Sequence, residues 1–409
     1  MLRLEQAVHE FVRKDVRPPS PAKPSSDAEW AKLRATDTRL WLDTGDLDEA
    51  AKLWVAEFDA LTTNNTLLNK EIQKGIYDNL VGEAAAVIRK SVPDINDRDL
   101  VLEIAFVLNA HHALRLVEKF GAFVSVELHT DLAYDVERTF AYGKRYFAIC
   151  PERFYVKVPL TPAGYLGARR LVEAGVPINF TLGFSARHNY LAALLTKPAY
   201  VNVFMGRLNS FVADHKLGAG QNVGEKATLA TQRALLALRK AGRTNTQLIA
   251  ASMRTGAQIG DCAGVDVYTM PPKAAAEYRA KPFPTVTSQV ANDPVVPLAS
   301  GVTFAQFNGD TLWQVTPQFK EAVEELLRRD LDKLTPADLQ AQFPDLLPRW
   351  SETDVAIATK DGKIPVYSAW KTRLESGVIG LDALMNLSAL QSFVTDQKAL
   401  DDRIRSLLK

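Results

Sequence analysis

Cysteine is nearly absent from this chain: Cys150 and Cys262 are the only two in 409 residues. That excludes a disulfide framework and a cysteine-based zinc site, and the two thiols read as buried. Net charge is nearly absent too. Forty-nine Lys and Arg against 48 Asp and Glu leave +1, whereas a nucleic-acid partner calls for a clustered basic excess. No apolar run approaches the roughly 20 residues that span a bilayer. The first ten residues carry Glu5 and Glu10 among their apolar positions and lack the apolar core of a signal peptide. These absences predict a cytoplasmic protein with neither a membrane nor a nucleic-acid partner. What remains, 47% hydrophobic and 24% charged residues, matches a globular protein with a large core.

Residues 4–16 read as a short amphipathic helix, and four prolines between Arg17 and Ser26 make a stiff linker. Residues 1–26 therefore form a leading segment. From about residue 37, short β-rich runs alternate with helical patterns, the signature of βα units on a parallel sheet. The runs are Arg39–Thr44, Ala60–Asn64, Phe123–Leu128, Phe154–Leu160, Ile178–Gly183, Tyr200–Gly206, Gln247–Ser252 and Val265–Met270. Helical patterns lie between them at Leu47–Phe58, Leu132–Tyr146, Pro162–Glu173 and Glu225–Lys240. Eight such strands predict an α/β fold, a closed (β/α)8 TIM barrel over 27–272, in preference to an open doubly wound sheet. After Pro271-Pro272 the alternation stops. Residues 273–409 read as a mostly helical C-terminal extension of the same domain, with loop signals around Pro336 and from Pro344 to Pro348.

Side chains on a strand alternate faces, so each run divides into a lumen set and a helix-facing set. Val124, Val126 and Leu128 suit packing under helices, which leaves Phe123, Ser125 and Glu127 for the lumen. The same sorting assigns Tyr155 with Lys157, Asn179 with Thr181, and Asn202 with Phe204 to the inner face. Asp43, Thr62, Asn64 and Ser252 come from the first, second and seventh runs, with Arg254 just beyond. The eighth run does not sort: either Asp266 and Tyr268 or Val267 and Thr269 could face inward. The polar members cluster in the second half of nearly every run, at the carboxyl end where barrel enzymes build their sites. A single Asn, Thr or Asp at a strand end is ordinarily a cap or turn residue. Lys157 is different, because lysine is almost never buried without a partner and here lies mid-strand between valines. Glu127 one strand away and Asp43 across the lumen are candidate partners; a structural ion pair is the plain alternative.

Taken in order, these segments resemble the transaldolase family. The resemblance is carried by Leu42-Asp43-Thr44-Gly45-Asp46, Leu61-Thr62-Thr63-Asn64, Val124-Ser125-Val126-Glu127 and Val156-Lys157-Val158-Pro159. It continues through Ile178 to Ser185, Phe204-Met205-Gly206-Arg207, Ala251-Ser252-Met253-Arg254 and, at the C-terminus, Phe393 to Leu400. It implies a metal-free, cofactor-free Schiff-base enzyme of the pentose phosphate pathway. Such an enzyme transfers a dihydroxyacetone unit from a ketose phosphate, fructose 6-phosphate or sedoheptulose 7-phosphate, to an aldose phosphate. It further implies that Lys157 forms the imine, Asp43 is the acid/base of carbon–carbon cleavage, and Glu127 with Thr181 and a held water moves protons. Asn64 and Asn179 would hold hydroxyls, Asn202 and Phe204 would line the donor pocket, and Arg207, Ser252 and Arg254 would hold the phosphate. The chain departs from the family at Asn65, where Pro is common, at Asn202, where Ser is usual, and at His129, where Asp or Ser is usual.

The chemistry explains why these residue types are needed. An amine attacks a carbonyl only when neutral, and burial disfavours a charged lysine. Cleavage needs a base for the C4 hydroxyl proton. Arginine holds a phosphate through paired hydrogen bonds and never loses its charge at neutral pH. Gly218 to Gly224 has the wrong glycine spacing for a phosphate cradle and reads as a mobile loop. His111-His112 lies in a helical pattern without a ligand cluster, so no metal site is expected. Two rival functions remain: an aldolase of the fructose 6-phosphate type, whose members tend to carry Tyr at the position of Phe204, or a catalytically altered binding protein. The sequence leaves a homo-oligomer open.

Overall fold

Where each strand run stops, a side chain able to cap a helix takes over, and this fixes the alternation of the fold. Asp46, Asn64, Thr161 and Ser185 each accept a backbone N–H from the first turn of the helix that follows a strand. A computed structural model describes residues 2–14, 16–17 and 24–409. Its strands are β1 (Arg39–Asp43), β2 (Phe58–Thr62), β3 (Phe123–Glu127), β4 (Phe154–Pro159), β5 (Ile178–Thr181), β6 (Tyr200–Phe204), β7 (Gln247–Ala251) and β8 (Val267–Met270). They close in sequence order into a barrel, β1 pairing parallel with both β2 and β8. The expected TIM barrel is thus present. β2 ends at Thr62, two residues before the expected limit, because Asn64 is the cap of helix Asn65–Gln73. The expected helix Leu47–Phe58 stops at Leu53, since Phe58 already belongs to β2.

The lumen has two levels. At the amino ends of the strands, Trp41 stacks on Tyr155 at 5.6 Å and meets Tyr200 edge-on at 4.8 Å. Arg39 donates to the Tyr200 hydroxyl at 2.8 Å, so a fully buried tryptophan and its neighbours form an aromatic floor. Two residues further along each strand, the register sets Glu127 beside Lys157 and Lys157 beside Asn179. Thr269, not Tyr268, faces the lumen on β8: its hydroxyl meets that of Thr62 at 2.6 Å, while Tyr268 bonds outward to the Ile259 carbonyl.

Three helices, Asn65–Gln73, Asp78–Ser91 and Asp97–Phe120, fill the long stretch between β2 and β3. The last corrects the expectation about apolar runs. It is long and apolar enough to cross a membrane, yet 89% of its most apolar window is buried inside the protein. At the start of the chain the helix is Leu2–Arg13; the central part of the expected proline-rich linker, 18–23, lies outside the described residues.

Beyond helix Pro272–Ala280, residues 281–303 contain no helix. Pro336, expected in a loop, instead occupies the first turn of helix Pro336–Gln342, where its missing N–H costs nothing. The final helix, Leu381–Leu407, lies across the carboxyl end of the barrel. Its Asn386 donates to the carbonyls of Leu160 and Leu182, just past β4 and β5, at 3.1 and 2.9 Å. Asp382 on the same helix is held by two N–H groups of Arg187 at 2.7 and 2.8 Å.

Candidate active site

A cavity of about 310 Å³ opens above the aromatic floor. Its wall includes Asp43, Asn64, Lys157, Asn179, Asn202, Phe204, Arg207, Ser252 and Arg254, which the structure thereby brings together. Glu127 stands behind Lys157, and Thr181 lies one strand further round; neither belongs to the cavity wall.

The amine of Lys157, 4% exposed, lies 3.0 Å from a Glu127 carboxylate oxygen and donates to the Thr63 carbonyl at 3.0 Å. Burial raises the pKa of Glu127, and the nearby Lys157 only partly offsets it. Asp43 shows the same balance: burial raises it, with Lys157 and the Thr62 hydroxyl pulling the other way. Thr62 donates to Asp43 at 2.7 Å. One lysine amine and two carboxyls with raised proton affinity thus share a low-dielectric site, an arrangement suited to proton exchange.

The asparagines divide by function. Asn179 donates to the Ser125 hydroxyl at 2.9 Å, leaving its buried carbonyl oxygen without a partner. Asn64 spends its carbonyl on the Leu67 N–H at 2.9 Å, so its amide hydrogens are what it can offer the cavity. Asn202 accepts from Gly183 N–H at 3.0 Å and donates to the Phe180 carbonyl at 2.8 Å. It laces β6 to β5 and contributes a wall, with both polar atoms already engaged. The buried hydroxyl of Thr181 has no partner among the described residues.

On the opposite side, a Cβ on Gly206 would come within 2.0 Å of the Ser252 carbonyl, so only glycine permits this contact between the first turn of helix Met205–Asp214 and the loop after β7. Ser252 itself has φ of 63°, a left-handed conformation that non-glycine residues adopt at a cost. The contact sets Arg207 beside Arg254. The guanidinium of Arg207 lies 5.5 Å from the Phe204 ring and 5.6 Å from that of Phe393 on the last helix. One of its terminal nitrogens is buried without a partner. Burial, then Arg254, pulls its pKa down to about 10. A buried guanidinium flanked by another cation is chemically suited to hold an anion.

Of the three departures, Asn202 is part of the cavity wall, whereas Asn65 and His129 lie off it. Asn65 donates to Gln397 of the final helix at 2.5 Å. His129 accepts the Asp131 N–H at 3.0 Å and meets Asp401 at 3.3 Å. Both tie strand-end loops to that helix. His112 is buried against the Tyr77 hydroxyl at 2.8 Å, its pKa lowered to about 4 mainly by burial. No cluster able to hold a metal occurs among the described residues. The glycine loop is pinned, Gly218 bridging to Leu298 and Gly224 N–H bonding to Asn209. Cys262 is buried, but Cys150 is only half-buried. Reading the sequence strand by strand missed Lys70, Lys363 and Thr269, which also line the cavity. Thr269 was one of two open choices; the lysines carry no local signal.

Comparison with known proteins agrees with this geometry. A family model described as transaldolase/fructose-6-phosphate aldolase matches residues 40–330. A transaldolase of Xanthomonas euvesicatoria pv. vesicatoria is 28% identical over 290 residues, covering 68% of this chain and 87% of the relative. One from Xanthomonas oryzae pv. oryzae is 27% identical over 329 residues, 76% of this chain and 99% of its own length. One from Protochlamydia amoebophila is 28% identical over 241 residues, covering 58% and 73%. With well over half its length matched, this chain belongs to the transaldolase/fructose-6-phosphate aldolase family.

Proposed function

We propose that the protein is a transaldolase of the pentose phosphate pathway, moving a dihydroxyacetone unit from a ketose phosphate to an aldose phosphate through an imine on Lys157. The supporting observation is a lysine amine buried in the lumen, 3.0 Å from a carboxylate whose pKa burial raises. The amine must first lose a proton, and Glu127 is the acceptor in reach. The lone pair of Nζ then attacks C2 of the ketose. In the resulting carbinolamine a proton passes from nitrogen to oxygen, and the C2 hydroxyl leaves as water when Glu127 returns its proton, forming the protonated imine; the free hydroxyl of Thr181 helps to hold that water. The protonated imine draws the electron pair of the C3–C4 bond, while Asp43 removes the C4 hydroxyl proton and the first aldehyde departs. Asn179, through its unpartnered carbonyl oxygen, and Asn64, through its amide, keep the enamine in register. The acceptor aldehyde then arrives, Asp43 returns its proton, and hydrolysis by the reverse of the opening steps frees the new ketose. Arg207 and Arg254 hold the phosphate of each sugar.

Phe204 favours transfer over simple aldol cleavage. A hydrocarbon ring at that wall cannot protonate the enamine or order a water for it, so the three-carbon fragment waits for an acceptor. The decisive experiment is borohydride reduction in the presence of fructose 6-phosphate. Lys157 should gain the mass of the reduced three-carbon adduct, and Lys157→Met should abolish it. A folded wild-type protein without that adduct refutes the reading. With erythrose 4-phosphate present, sedoheptulose 7-phosphate should accumulate. Free dihydroxyacetone formed equally fast without acceptor would reassign the protein as an aldolase.

A further inference from the structure

Lys70, Arg207, Arg254 and Lys363 all line one cavity, and none forms an ion pair with a carboxylate among the described residues. The four repel one another. Burial, then Arg254, lowers the pKa of Arg207. Partial burial, then Arg207, lowers that of Lys363, with Lys70 and Arg254 adding to the effect and Asp396 opposing it. Gathering like charges at the mouth of a pocket is unfavourable unless an anion completes the set.

Lys363 belongs to the C-terminal extension, beyond the 40–330 segment that defines the family match. Its position there is built. Helix Glu352–Asp361 ends on Gly362 at φ 80° and ψ −139°, a conformation closed to other residues, and this turn directs the chain back over the barrel. Asp361 then grips the returning segment, accepting from Val366 N–H at 2.9 Å and from the Trp370 indole at 3.1 Å. The ring of His215 donates to the Pro365 carbonyl at 2.7 Å. His215 is the residue that ends helix Met205–Asp214, which carries Arg207, so one helix fixes both the inner guanidinium and the loop of the outer lysine.

We propose that Lys363, with Lys70 opposite it, forms an outer cationic rim that captures the dianionic phosphate terminus of the substrate and passes it to Arg207 and Arg254. This rests on the sugar-phosphate reading above. Lys363 thereby sets the preference for phosphorylated over unphosphorylated sugars, a contribution from the extension and not from the barrel.

The test uses the full chain and inorganic phosphate as the probe, its binding to the resting protein followed by calorimetry. Lys363→Met should weaken phosphate binding by roughly 2- to 5-fold, the scale of one partly exposed charge pair, and Lys363→Arg should restore it. The same variant should raise KM for fructose 6-phosphate more than it lowers kcat. It should leave kcat/KM for unphosphorylated fructose within about 2-fold. Lys363→Met and Lys70→Met combined should weaken phosphate further and flatten the salt dependence of binding. Phosphate affinity unchanged in Lys363→Met, while Arg254→Ala loses it, overturns the proposal and spares the catalytic assignment. Rim effects on phosphate without a borohydride adduct on Lys157 would uphold the anion site and overturn the Schiff-base reading instead.

Discussion

Two buried ion pairs, one in the barrel lumen and one between the helix after β5 and the final helix, behave in opposite ways. Arg187 and Asp382 meet as fork and carboxylate, with two bonds at 2.7 and 2.8 Å, Asp345 as a further partner of the guanidinium, and an Ala383 N–H on the Asp382 carboxylate. Burial would raise the pKa of Asp382, but the charge and bonds of Arg187 outweigh it and the net shift is downward. Lys157 and Glu127 are equally buried, yet they meet through a single 3.0 Å contact, and the net shift of Glu127 is upward. Charge complementarity alone therefore does not define a structural clamp. The number of well-aimed bonds decides whether a pair is locked or is ready to exchange its proton.

Breaking each pair should separate stability from activity. Asp382→Ala leaves the buried guanidinium with the partly exposed Asp345 as its remaining carboxylate partner and should cost roughly 3 kcal/mol of stability, read from urea unfolding. Because the last helix supplies Phe393 to the cavity, activity should fall before global unfolding. Since the folded pKa of Asp382 is depressed, its contribution is present above the unfolded carboxylate range and should fade as pH falls through the folded value. Glu127→Gln should lower kcat on the order of 10²-fold with a much smaller change in unfolding midpoint.

A finer comparison uses Asp43, whose folded pKa lies above its ordinary 3.8. A carboxyl of this kind favours the folded state when protonated, and that benefit is lost as pH rises through the folded value. Asp43→Asn should therefore raise the melting temperature slightly at neutral pH, the gain shrinking on acidification, while catalysis is lost. Equal melting temperatures at every pH would contradict the assigned burial.

Much of the barrel was legible in the sequence because its cause is local. Every strand begins and ends within two residues of the reading, since strands buried on one face and facing a polar lumen on the other alternate strictly. Lys157 and Glu127 fell on the inner face by parity alone, and parallel register then made them neighbours. β8 resisted because both of its faces carry polar or aromatic groups; the Thr62–Thr269 contact, 207 residues apart in sequence, decides it. Asn202 shows the converse limit. Its place on the lumen face was readable, but not that both ends of its amide are bonded to backbone. The place of Lys363 at the cavity and the docking of helix Leu381–Leu407 on the barrel were invisible for a related reason: the residues they meet lie far upstream, where no periodicity reports them.

The packed rings of Trp41, Tyr155 and Tyr200 carry one more consequence. They make the barrel a well with a single doorway, so whatever enters must back out the way it came. For the transfer proposed above, the first aldehyde would then leave by that doorway before the second is admitted. Alternating occupancy is then imposed by architecture, with no need for a gate to enforce it.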